Sequence, residues 1–324
     1  MNPGANLAFT GHVAAYLAHG QALGRQFRQE HWLLHTLLRE LPSLGCGDLT
    51  AESLQRWFDH RRGLHPNTRR KWVQMLRRFC LFRRRSNTGC FVPGPELICR
   101  AQPCVTPVIL GNSQVARMIA VADTLEPSPN SPARSAAMRM AVALLYTTGM
   151  RLGELLRLVL GDIEDDGTVL RVRESKFHKT RLLPLSPSAQ AELRTYVTRR
   201  ASAGFDIRPG APLLCTRARG RIRPYSASGM QHGLNALLRD ASMCTAGQSR
   251  PRVHDLRHSF AVQALARWYR QGADVQAQLP KLAMYMGHVS IESTAYYLRW
   301  TDEIGALASA RFAQHFAATI GDQS

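Results

Sequence analysis

Arg151, His254, Arg257, His288 and Tyr297 occupy four short stretches of this chain: Thr-Gly-Met-Arg-Leu-Gly-Glu-Leu at 148–155, His-Asp-Leu-Arg-His at 254–258, Gly-His at 287–288, and Tyr297. Lys176 falls on an expected hairpin between the first two. The set contains no pair of carboxylates to hold a metal and no Ser or Cys nucleophile beside a base. It can surround a phosphodiester with positive charge and attack it with a phenol. Metal-free cleavage of that bond needs cations on the non-bridging oxygens, a proton for the leaving oxygen and an activated nucleophile. A free phenol, with a pKa near ~10, attacks poorly unless cations or a base favour the phenolate.

Each residue also has a plainer reading. Arg151 opens a short helix just after Gly149, and its guanidinium can grip phosphate oxygens in a fork that Lys cannot copy. An arginine at a helix start is nevertheless most often structural or solvated. Glu154, one turn on, orients Arg151 or caps locally rather than transferring protons. His254 and Arg257 stand three apart, so on a helix they share a face and can converge on one anion. His258, four beyond His254, has the spacing of a metal pair but lacks the Glu of His-Glu-x-x-His and a third ligand. It reads as packing against the core or supporting a neighbour, and no metal ligand is assigned. His288 by itself would be a capping or buried histidine, and Tyr297 a core residue. Tyr296 and Tyr297 face different directions on a helix, so one of the two can point at a common site. Taken together, the set is consistent with phosphodiester chemistry.

The elements that must position these residues are mostly helical. Over 7–86, apolar positions recur at helical spacing from Phe27 to Leu38, in a short helix after Thr50 through Trp57 and Phe58, and from Asn67 to Phe82. That last run carries Trp72, Val73, Leu76 and Phe79 on one side and Arg69, Arg70, Lys71, Arg77 and Arg78 on the other. The basic side is either a solvated surface or a face for a DNA backbone. Pro, Gly and small residues mark 87–112 as a linker. Helices are then expected over 113–123 and 133–148. Residues 168–173 and 182–185 make a β-hairpin with 175–180 near its tip. Helices resume at about 187–200, 226–241, 254–270, 279–287 and 290–298, with a bend where Leu279 and Pro280 enter the helix. The expected fold is mainly α. A small helical domain over 1–100 precedes a mixed α/β domain over 108–324, mostly helical with a small antiparallel sheet. A last amphipathic helix over 302–318 carries Ile304, Leu307, Phe312 and Phe316 near one side, packing on its own domain or on a neighbouring subunit.

At 324 residues and 45% apolar, the chain can bury two cores. Its formal charge is +19. In the first 100 residues 15 Lys and Arg stand against 6 Asp and Glu, and beyond them 27 against 17, giving net +9 and +10. An excess spread over both halves is an extended footprint for nucleic acid rather than a basic tail. Only Lys71, Lys176, Lys179 and Lys281 are lysines, so a GC-rich coding bias explains Arg over Lys but not the shortage of acids. Seven scattered cysteines form no Cys-x-x-Cys pair, and Cys90, Cys99 and Cys104 lack partners at zinc spacing. The odd count and the lack of a signal peptide point to reduced thiols and a cytoplasmic protein. No window approaches the ~18 apolar residues of a membrane span.

The motifs resemble those of the tyrosine recombinase, or phage integrase, family over nearly the whole chain. Residues 148–155 look like its first arginine box and His-Asp-Leu-Arg-His-Ser-Phe-Ala at 254–261 like its His-x-x-Arg box. Gly-His followed by Tyr nine residues later looks like its terminal box, which places the nucleophile at Tyr297 and not Tyr296. The run Glu-Ser-Lys-Phe-His-Lys-Thr-Arg-Leu-Leu-Pro-Leu resembles the family's β2–β3 turn, whose first lysine is catalytic. That role passes to Lys176, with Lys179 its rival within a few residues of register. Residues 7–86 resemble the helical core-binding domain. The resemblance implies a site-specific recombinase clamping double-stranded DNA. Tyr297 would form a 3′-phosphotyrosyl link, and Arg151, Arg257 and His288 would stabilise the transition state. Lys176 would protonate the leaving 5′-oxygen and His254 would assist at the tyrosine. No cofactor, metal or ATP is implied, because the covalent link keeps the bond energy. A homotetramer on two DNA sites, coupled through 302–318, is also implied, in a bacterial cytoplasm. Met286 stands where the family commonly has Leu. A type IB topoisomerase shares the tyrosine chemistry, but the N-terminal domain argues against it. A DNA-binding protein that only occupies a site would not need the full set, and an RNA binder would show an aromatic strand signature that is missing here.

Overall fold

The computed structural model describes residues 3–102, 106–173, 180–218, 220–241, 250–288 and the short stretches 292–295, 305–306 and 309–310. The chain divides into two compact units, Met1–Val105 and Thr106–Ser324. Helices dominate both, and the only strands among the described residues are five short ones in the second unit. No helix of the described residues is long and apolar enough to cross a membrane.

The first unit holds α1 (Pro3–Ala22), α2 (Arg28–Glu40), α3 (Ala51–Asp59) and α4 (Pro66–Arg83). Helix α3 starts where the sequence supplies a reciprocal cap. Thr50 accepts from the Ser53 N–H, while the Ser53 hydroxyl accepts from the Thr50 N–H. Pro66 stands in the first turn of α4, where a missing N–H costs nothing. The core joins Phe9, Val13 and Tyr16 of α1, Leu33 and Leu37 of α2, Trp57 of α3, and Leu76 and Phe79 of α4. Residues 87–102, expected as linker, instead fold back on this unit. Phe91, Val92, Leu97 and Ile98 pack against its core, Arg77 and Arg70 donate to the carbonyls of Pro93 and Cys99, and Asn67 exchanges two hydrogen bonds with Gln102. Proline and glycine marked irregular backbone there, but apolar side chains between them anchor it.

In the second unit α6 (Arg134–Thr148) is the central element, with ten of its fifteen residues buried. Around it pack α5 (Asn112–Asp123), α8 (Pro187–Ser202), α9 (Ala227–Asp240) and α10 (Val253–Arg270). A helix apolar on nearly every side has to lie in the middle. Between α6 and α8 the chain makes the single turn α7 (Leu152–Leu155) and an antiparallel sheet of β1 (Ile163–Glu164), β2 (Val169–Val172) and β3 (Arg181–Pro184) in that order. Leu170 pairs with Leu183 and Val172 with Arg181, so all four side chains share the inner face. A second hairpin, β4 (Cys215–Ala218) with β5 (Arg221–Pro224), follows α8.

Two helices that close the unit carry the site. Helix α10 runs on from its capping Asp255, whose carboxylate accepts from the Arg252 N–H (2.8 Å), and Ser259 on it holds the Leu110 N–H (2.8 Å). Helix α11 (Val275–Met286) starts four residues before the expected 279, because Asp274 caps it by accepting from the N–H groups of Gln276 and Ala277. Pro280 therefore lies inside the helix rather than at its entry. A further turn, α12 (Glu292–Ala295), follows α11.

Candidate active site

Arg151 sits just before α7 with extended backbone, and Glu154 fixes it twice. The Glu154 carboxylate accepts from the Arg151 N–H (2.9 Å) and from its Nη1 (2.9 Å). The Nη2 of Arg151 crosses to the carbonyl of Gly287 (2.9 Å). Arg257, 2% exposed on α10, donates to the Gly149 carbonyl and to that of Met286 (2.7 Å). The two arginines, 106 positions apart in sequence, thus end on the neighbouring carbonyls of Met286 and Gly287, immediately before His288. Far apart along the chain, they are brought together at the ends of α6 and α11, as their shared role required.

Both of those helix ends need glycine. Gly149 (φ 61°) and Gly287 (φ 66°) adopt the left-handed conformation that turns the chain out of its helix. Space is short as well: a Cβ on Gly149 would stand 2.4 Å from the Phe260 ring, and one on Gly287 2.9 Å from the Arg181 guanidinium.

The histidines gather round the same point. His254 stands on α10 with one side open to solvent and the other against the protein, and His258, half-buried one turn later, meets its ring edge-to-face at 4.7 Å between centroids. His258 thereby supports its neighbour, one of the two roles expected of it. His288 shares a 2.7 Å hydrogen bond between Nδ1 and the Oγ1 of Thr294, a fully buried residue of α12. Burial, then the charges of Arg257 and Arg151, push His288 down to about 4. Burial and His254 push His258 down to about 4, and burial with Arg257 lowers His254. At neutral pH the pocket therefore holds uncharged imidazoles among fixed guanidinium cations. Among the described residues no group of three or more His, Cys, Asp and Glu is placed to hold a metal ion.

Arg181 was not anticipated. From the first position of β3 it places Nη1 and Nη2 on the two oxygens of Glu154 (3.2 and 2.8 Å) and Nε on the Tyr285 carbonyl (2.8 Å). Burial would raise the Glu154 carboxyl, but hydrogen bonds from Arg181 and the Arg151 N–H, with the charge of both, draw it down to about 2. A signal was present: alternation places Arg181 on the same inner hairpin face as Leu170 and Val172, and a charge on a buried face needs a partner. Thr294 gave no such sign.

Lys176, Lys179, Tyr296, Tyr297 and most of 302–318 lie outside the described residues. The basic side of α4 is partly occupied within its own unit. Arg69 stacks on Phe58 (4.6 Å to the ring centre), Arg70 and Arg77 hold backbone carbonyls, and Arg78 pairs with Glu30 at 3.2 Å. Lys71 and Arg78 are the exposed members.

Comparison with known proteins points one way. The model of the phage integrase family matches residues 109–303. A putative integrase/recombinase, y4rE, of Sinorhizobium fredii is 35% identical over 212 residues, 65% of this chain and 66% of that protein. The tyrosine recombinase XerD of Caulobacter vibrioides is 29% identical over 77% of each chain. The fold is similar to that of the Tn1549 transposon integrase solved in complex with transposon right end DNA. That likeness has a TM-score of 0.64 at 16% identity and covers 94% of this chain and 98% of that one.

Proposed function

This chain belongs to the phage integrase family and is a tyrosine recombinase, and we propose that it breaks and rejoins double-stranded DNA at specific sites through a 3′-phosphotyrosyl intermediate. The observation that carries the mechanism is the convergence of Arg151 and Arg257 on the carbonyls next to His288. A phosphate oxygen entering there meets two guanidinium forks and an imidazole. As the phosphorus becomes five-coordinate its negative charge grows, and fixed cations stabilise that state more than the starting diester.

In this scheme the phenolate of Tyr297 attacks phosphorus, the bond to the 5′-oxygen breaks, and that oxygen takes a proton from Lys176. His254 receives the proton of the phenol, which its lowered pKa allows at neutral pH. The 5′-hydroxyl of a partner strand then attacks the phosphotyrosyl bond and reverses the sequence. The phosphoester count stays constant, so ATP is not required. Exposed Lys71 and Arg78 on the first unit, with Arg69, Arg70 and Arg77 beside them, are assigned to the DNA backbone. The segment 302–318 is assigned to contacts between protomers in a tetramer on two DNA sites.

The test uses cells. Wild type and Tyr297→Phe are expressed in the source organism, lysed in denaturant, and the DNA covalently attached to protein is sequenced. Adducts at a few loci in the wild type and none in the variant are expected. An undiminished adduct in Tyr297→Phe contradicts the assignment, and adducts dispersed over the genome point to relaxation rather than recombination.

A further inference from the structure

Three guanidinium groups from three elements hold three consecutive carbonyl oxygens at the end of α11. Arg181 of β3 takes Tyr285, Arg257 of α10 takes Met286, and Arg151 before α7 takes Gly287. The last carbonyls of a helix lack partners within it and carry the negative end of its dipole, so cations belong there. Two of the three arginines form the proposed phosphate grip. The third has no role in that scheme, yet it is built in more firmly than Arg151: its side chain is 11% exposed, and that of Glu154 2%.

Arg181 also shares its carboxylate with Arg151. Each oxygen of Glu154 accepts one bond from Arg181 and one from Arg151. One negative charge is therefore divided between two cations. Moreover, Arg181 is the first residue of β3. We propose that Arg181 is a positioning residue of the active site, neutralising Glu154 and fastening β3 to the end of α11 so that Arg151 and His288 are held where the phosphate meets them.

Without Arg181, Glu154 would have Arg151 as its remaining cation and would compete with the phosphate for that guanidinium. The Tyr285 carbonyl would lose its cap, and the turn carrying His288 would loosen. Lysine at 181 would restore a point charge but could not reach two carboxylate oxygens and a carbonyl at once.

The proposal rests on the recombinase reading for its effect on rate, but not for its effect on geometry, so two readouts separate them. The first is the NMR titration of the His288 ring in the full chain, assigned with His288→Asn. Its midpoint, about 4 in the wild type, should rise by about one unit or more in Arg181→Met as the ring gains water. Arg181→Lys should give a smaller rise and serves if the methionine variant does not fold. An unmoved midpoint in Arg181→Met, or in Arg181→Lys if that variant alone folds, overturns the proposal. The second is the rate of covalent adduct formation at saturating DNA. Arg181→Met should slow it on the order of 100-fold while DNA affinity stays within about threefold. Glu154→Gln added to Arg181→Met should recover about tenfold, because the amide no longer draws on Arg151. No recovery overturns the proposal. A wild type that forms no adduct contradicts the recombinase reading, and the His288 titration then decides on Arg181 by itself.

Discussion

His288 stands beside both arginines of the proposed phosphate grip, and their charges act on its ring. Its ring is neutral at pH 7 because burial and two arginines oppose the proton. A phosphate anion placed among those arginines offsets part of their positive field, so binding should raise the affinity of the ring for a proton. DNA binding near pH 6 is therefore expected to take up protons, read from calorimetry in buffers of different ionisation enthalpy, and the uptake should fall in His288→Asn. Binding without proton uptake would contradict this. The same shifts set a stability window. His288 and His258 both titrate near 4 in the folded chain, against an unfolded value near ~6.5. The unfolded chain thus binds more protons as pH falls from 6.5 towards 4. The stability these two histidines contribute is full above pH 6.5 and is lost progressively as pH falls through that interval. Glu154 adds its own loss only below about pH 4.5, towards 2. A thermal midpoint that stays flat between pH 7 and 4 would contradict these histidine environments.

Helix ends, rather than helix faces, make the site. Gly149 ends α6 in a left-handed turn and its carbonyl takes Arg257, so Gly149→Ala strains the backbone and drives a methyl into Phe260. A loss of about 2 kcal/mol in unfolding free energy is expected, together with slower adduct formation, because Arg257 loses its anchor. Equal denaturation midpoints for variant and wild type would contradict it. Helices with an apolar stripe or a side-chain cap were legible in sequence, as with α3 and α4, and so was α6 from its nearly continuous apolar run. The β4–β5 hairpin was not. Cys215-Thr-Arg-Ala and Arg221-Ile-Arg-Pro do not alternate cleanly, and Cys215 is their one buried residue. Helix α11 begins ahead of the expected 279 because Asp274 caps it, and Pro280 sits inside the helix and does not mark its start. Arg151, His254, Arg257 and His288 were legible because motif spacing survives without knowledge of the fold. Arg181 carried only the sign of a charge on the buried hairpin face, because its partners are a glutamate 27 positions away and a backbone carbonyl 104 away.

At the scale of the whole molecule, the positive charge belongs to both units, +9 and +10 about residue 100. A surface of this kind holds DNA largely by displacing counterions. If six to ten phosphates are contacted, the association constant should fall by about 10³ to 10⁵ between 50 and 200 mM salt. A salt-independent affinity would show that the arginine surface is not the DNA surface. Binding, however, is compatible with a protein that never cuts. The decisive measurement is the chemical identity of the link to DNA. Adducts recovered in denaturant are trimmed with nuclease and protease, and the peptide bearing the nucleotide is fragmented by mass spectrometry. A phosphodiester on the phenolic oxygen of Tyr297 is expected, with Tyr296 unmodified. A nucleotide on any other residue would contradict it.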